Sequence, residues 1–122
     1  MLAQGPIPRS VHGLIEYAAG VLFIVAPFVL DFTDEGGATA ASIAVGIVVL
    51  LIAATTKGST SLVNVIPTAL HVAADYALAV LLVAAPFLFG FSDESAPTAL
   101  FIALGVVHLL VTVATRFTPR QR

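Results

Sequence analysis

The chain has 122 residues, 59% of them apolar and 10% charged, with a net charge of −2. Soluble domains run to about 45–50% apolar and about 25% charged, and a water-soluble fold of this size cannot hide so much apolar surface. There is no basic patch for nucleic acid, and the absence of cysteine excludes disulfides, thiolate metal ligation, a cysteine nucleophile and covalently attached haem.

Taken in order, residues 1–9 form a short segment ending at Arg9. The apolar run that follows has the outline of a secretory signal. It is long for one, contains Glu16 and lacks a small-x-small cleavage site, so a membrane span is expected over 10–32. Thr33-Asp34-Glu35-Gly36-Gly37 reads as a tight helix–helix turn into a second span over 38–56. Residues 10–56 are thus one hairpin. A linker, 57–68, carries Lys57. A second hairpin, 69–116, holds spans over 69–91 and 97–116 with the turn Ser92-Asp93-Glu94-Ser95 between them, and a tail follows over 117–122. Lipid offers no partner to an unpaired backbone group, and the runs are too long and too continuously apolar for barrel strands, so each is expected to be helical. Pro8, Pro67 and Pro97 suit first turns, where the missing N–H costs nothing. The turn carboxylates fall near the N-termini of the second and fourth helices, where the macrodipole favours them.

The second hairpin repeats the first without a gap at an offset of about 59 residues. Ile7-Pro8 falls on Ile66-Pro67, His12 on His71, Glu16 on Asp75, Tyr17 on Tyr76, Ala26-Pro27-Phe28 on Ala85-Pro86-Phe87, and Gly46 on Gly105. The expected fold is an all-α membrane protein, four transmembrane helices as two tandem helical hairpins related by a pseudo-two-fold axis along the membrane normal. Arg9, Lys57, Arg116, Arg120 and Arg122 all fall at the ends or in the middle linker, whereas the turns carry Asp34, Glu35, Asp93 and Glu94 and no cation. Positive-inside distribution puts both termini in the cytoplasm. Small-residue stripes at Ala40/Ala44, extended by Ser42/Gly46, at Ala99/Ala103 and at Ala69/Ala73/Ala77 are expected to pack helix on helix.

A repeated hairpin with a residue-Pro-aromatic motif late in its first helix resembles the SPW-repeat membrane proteins. The residues carrying the likeness are Ala26-Pro27-Phe28-Val29-Leu30-Asp31-Phe32 and Ala85-Pro86-Phe87-Leu88-Phe89-Gly90-Phe91, with Ala for Ser and Phe for Trp in both copies. The resemblance implies a bacterial inner-membrane protein and no specific activity.

Few residues could carry chemistry. Pro27 and Pro86, inside their helices, are expected to kink them and to free the carbonyls of Phe23 and Leu82. His12 and Glu16 share a helix face at i,i+4, as do His71 and Asp75, with Tyr17 and Tyr76 beside the carboxylates. His108, where the first copy has Val49, lies at a similar depth, so these side chains are expected to meet in one layer. Ionisable groups in a span face protein or water. The layer can be mutually satisfied and structural, a proton or ion path, or a ligand set for a metal or a bis-histidine haem. No metal-ligand motif, cofactor motif, phosphate loop or nucleophile elbow is present, so neither metal nor cofactor is assigned and no enzyme is expected. The leading expectation is a structural or accessory membrane protein, in contact with the bilayer and with a homo-oligomer or larger membrane complex. The alternatives are a minimal proton or ion conduit through the His/carboxylate layer, and a metal- or haem-binding bundle.

Overall fold

The computed structural model describes residues 6–56, 62, 63 and 65–116. Lys57, Arg120, Arg122 and the tail 117–122, used above for orientation, lie outside the described residues, as do parts of the N-terminal segment and the linker. Four helices follow one another: α1 Arg9–Val29, α2 Gly36–Thr55, α3 Thr68–Leu88 and α4 Ser95–Ala114. Each has 20 or 21 residues and is apolar enough to cross a membrane, which at 1.5 Å per residue is roughly the 30 Å of a hydrocarbon core. The chain is a helical membrane bundle. Two short strands, β1 Ile7–Pro8 and β2 Thr115–Arg116, pair in parallel beside the start of α1, and Thr56 bridges Ile66 at the corresponding place in the other hairpin. Ile7 and Ile66 are extended because each precedes a proline, which holds the preceding residue out of the helical region.

The bundle is sorted inside out relative to a soluble protein. His12, Glu16, His71 and Asp75 are buried, while Leu14, Val80 and Leu88 are 62%, 69% and 67% exposed. Water would reject that arrangement and lipid selects it.

Helices α1 and α3 stop at Val29 and Leu88, three residues short of the apolar runs. The cause is a backbone motif. Asp31 and Gly90 adopt positive φ, 60° and 76°. The N–H of Phe32 then bonds the Pro27 carbonyl, and that of Phe91 the Pro86 carbonyl, each at 2.9 Å. This is the Schellman closure, in which the left-handed residue normally is glycine. Phe32 and Phe91 fold back into the core, and Thr39 and Thr98 donate hydroxyl hydrogen bonds to their carbonyls at 2.9 and 2.8 Å. Asp31 holds the strained conformation that Gly90 adopts freely. Asp31→Gly is therefore expected to raise the unfolding free energy by about 1 kcal/mol, and Gly90→Ala to lower it, both readable as shifts in thermal midpoint.

Within each hairpin the helices pack closely, and across hairpins α1 meets α4. The α1–α2 contact is a glycine crossing of Gly20 and Gly46. Pro27 lacks an N–H, which leaves the Phe23 carbonyl without its helical donor, and Ser42 of α2 supplies one, Oγ to O 2.6 Å. The repeat-equivalent of Ser42 is Phe101, which stacks edge-on against Phe23 and Phe91 at centroid distances of 5.3 and 5.2 Å. This aromatic cluster fills the turn end of the bundle. The two acidic turns stand close together there. Partial burial, then the carboxylates of Glu94, Asp34 and Asp93, hold Glu35 above its ordinary range.

One expectation is corrected in part: Ser42 and Gly46 do pack against α1, but the alanines do not. Ala40, Ala44, Ala69, Ala73, Ala77, Ala99 and Ala103 are exposed and do not form the interfaces within the chain. The buried stripe of α2 is Ala38, Ser42, Gly46, Val49 and Ala53, rotated from the alanines by half a turn because Gly46 must face Gly20 and Ser42 must reach the Phe23 carbonyl.

Candidate functional site

At the end of the bundle opposite the turns, α1 and α3 begin next to each other. Pro8 and Pro67 sit at their N-caps with extended backbone, φ −63° and −62°, and start each helix three or four residues before a histidine. His12 and Glu16 then project from α1, and His71 and Asp75 from α3, one turn apart in each case.

The four side chains pair crosswise between the hairpins. His12 Nε2 bonds Asp75 Oδ2 at 3.0 Å, and His71 Nε2 bonds Glu16 Oε2 at 2.9 Å. The contacts along each helix, His12 to Glu16 and His71 to Asp75, are both 3.1 Å. Nitrogen and oxygen alternate around a closed ring, and all four residues are buried. The hydrogen bonds join the two copies, so the layer clamps hairpin to hairpin.

Each imidazole is held from behind by a threonine. His12 Nδ1 lies 2.8 Å from Thr115 Oγ1 and His71 Nδ1 2.5 Å from Thr56 Oγ1. The single hydrogen of each hydroxyl is already committed: Thr56 donates to the Ile52 carbonyl at 2.6 Å and Thr115 to the Val111 carbonyl at 2.5 Å. Each threonine oxygen must accept, so each Nδ1 carries a hydrogen, and both Nε2 atoms face the carboxylates. Thr56 and Thr115 were not singled out in the sequence. Their one signal there is that they fall on each other at the repeat offset.

His108 joins the layer from α4. Its Nε2 is 3.3 Å from Asp75 Oδ1, but out of hydrogen-bond alignment, and it is a buried nitrogen without a hydrogen-bond partner among the described residues. The rings of His12 and His108 are 6.1 Å apart. Tyr17 and Tyr76 are half-buried. One residue on from a carboxylate, each projects about 100° around the helix from it. Pro27 and Pro86 lie at the far end of their helices and shape the turns, not the layer. Between the quartet and Phe23 lies a cavity of about 60 Å³ with Glu16 and His108 in its wall. It has room for a water or two but is far below the roughly 300–1,000 Å³ of cofactor pockets, so a porphyrin does not fit beside these histidines.

The family model described as the SPW repeat domain matches residues 10–115. No curated protein and no solved structure matches the chain.

Proposed function

The chain belongs to the SPW repeat family, and on that premise we propose that it is a non-enzymatic structural or accessory protein of the bacterial inner membrane, built to associate with another membrane chain. The carrying observation is the outward placement of its small residues. Gly37, Ala40, Ala41 and Ala44 of α2, with Leu78 and Leu81 of α3, line an open apolar groove of about 550 Å³ along the seam between the hairpins. Small residues let helix backbones approach where lipid gives no hydrophobic drive, so the occupant of this groove is a transmembrane helix of a neighbouring chain. The cations at the ends and linker favour N-in/C-in insertion. The rings of Phe23, Phe91 and Phe101 plug the bundle beyond the small cavity, which favours an accessory role over a conduit.

Purification at native level in mild detergent, with mass determination of the intact assembly, is expected to give a defined homo-oligomer or a stoichiometric partner. Ala44→Leu, which fills the groove from outside, is expected to dissociate it while leaving the helical content and thermal midpoint of the chain unchanged. A monodisperse monomer without partner would leave the groove to lipid and end the proposal.

A further inference from the structure

We propose that His12, Glu16, His71 and Asp75 bind one divalent transition-metal ion of the zinc, iron(II) or manganese(II) class inside the bilayer. This is independent of any partner in the α2–α3 groove, resting only on the crosswise quartet.

The geometry is that of a ligand set. Edges of 3.0, 3.1, 2.9 and 3.1 Å run His12–Asp75–His71–Glu16 and back to His12, and the four donor atoms lie within 4.8 Å of one another. Opening these edges to about 3.4 Å, with the diagonals closing to match, surrounds an ion tetrahedrally at the roughly 2.1 Å Zn–N and Zn–O bond length. The chemistry agrees. Each Nδ1–H is tied to a threonine hydroxyl whose own hydrogen goes to a backbone carbonyl, so a neutral imidazole presents the lone pair of Nε2 to the centre. Two such lone pairs and two carboxylate oxygens then share one centre, where a cation offsets their mutual repulsion as a second proton on each histidine otherwise would. A metal-bound histidine characteristically donates its other N–H to an outer partner that fixes its tautomer and ring orientation, and here both do so to repeat-equivalent threonines. Charge agrees too. Two carboxylates and one divalent ion sum to zero, as burial in hydrocarbon demands. Without the ion, the same neutrality requires a second proton on each histidine. Imidazole with carboxylate suits zinc, iron and manganese, and the absence of thiolates disfavours copper(I).

The test is equilibrium binding of Zn²⁺ to the full chain in detergent, after stripping with a chelator, against a chromophoric competitor. One ion per chain is expected, with Mg²⁺ failing to compete, and Co²⁺ in its place giving the intense visible absorption of a four-coordinate nitrogen/oxygen site. Asp75→Asn is expected to weaken Zn²⁺ by more than about 100-fold. Thr56→Val and Thr115→Val, which keep every ligand and the bundle intact, are expected to weaken it by about 10–100-fold each. Substoichiometric binding by the wild type, or Co²⁺ spectra unchanged by both threonine variants, would overturn the metal site. The groove proposal is read separately by oligomer mass, so either can fail alone.

Discussion

Asp75→Ala is expected to cost about 3–5 kcal/mol of bundle stability, measured by reversible unfolding in mixed micelles. The variant removes the group that faces His12, His71 and His108 together, leaving two buried histidines to share the single Glu16 carboxylate, and breaking one side of a buried ionic set carries a penalty of that size. Replacing the whole quartet has a different expected outcome. With His12, Glu16, His71 and Asp75 all changed to leucine, no buried charge is left alone, and such exchanges are often neutral or stabilising. A fourfold variant as stable as the parent, beside a crippled single variant, identifies the quartet as retained for what it binds. A fourfold variant as unstable as Asp75→Ala would mean that the bundle has no shape without its polar layer.

Gly46→Ala is expected to destabilise the first hairpin by about 1–3 kcal/mol, the range for an overpacked interior. A Cβ there would stand 2.6 Å from the Gly20 carbonyl oxygen and 3.0 Å from the Ile24 nitrogen. Both are backbone atoms of α1, so relief requires the helices to part, and parting them also lifts Ser42 from the Phe23 carbonyl. Gly105→Ala should cost less, since its nearest contact is a Val83 methyl at 2.9 Å, with the Ala79 carbonyl at 3.1 Å. Gly20→Ala should likewise cost less than Gly46→Ala, because its 2.7 Å contacts are to the Leu50 side chain and it meets a backbone atom, the Gly46 carbonyl, only at 3.1 Å. The order of thermal midpoints among the three variants tests the packing directly, and an inverted order would mean that the helices cross elsewhere.

The helices were legible because composition and length leave one solvent and one secondary structure for such runs, and the repeat marked which polar residues travel together. Helix ends were less so. The runs continue apolar through Phe32 and Phe91, while the left-handed Asp31 and Gly90 turn those phenylalanines back into the core; only Gly90 signals this in one dimension. Spacing fixes which residues share a face, not which way that face points, so the sequence does not separate the outward alanines of α2 from the inward Ser42 and Gly46. That direction is set by a carbonyl that Pro27 frees and Ser42 meets. Of the polar layer, the i,i+4 pairs could be read along each helix. The crosswise bonding could not, since it depends on how the hairpins dock, and neither could Thr56 and Thr115, which lie 15 and 103 residues from the histidines they hold.

The bonding of one hairpin to the other through His12 and Asp75 is tested most directly by a double-mutant cycle. His12→Gln, Asp75→Asn and their combination, in chelator-treated protein, give a coupling free energy from three unfolding measurements against the parent. Contacting charged residues couple by about 0.5–3 kcal/mol, and a value above 1 kcal/mol is expected here, whereas independent sites add to within about 0.3–0.5 kcal/mol. Additive effects would mean that these side chains do not touch and that the two hairpins dock in some other way.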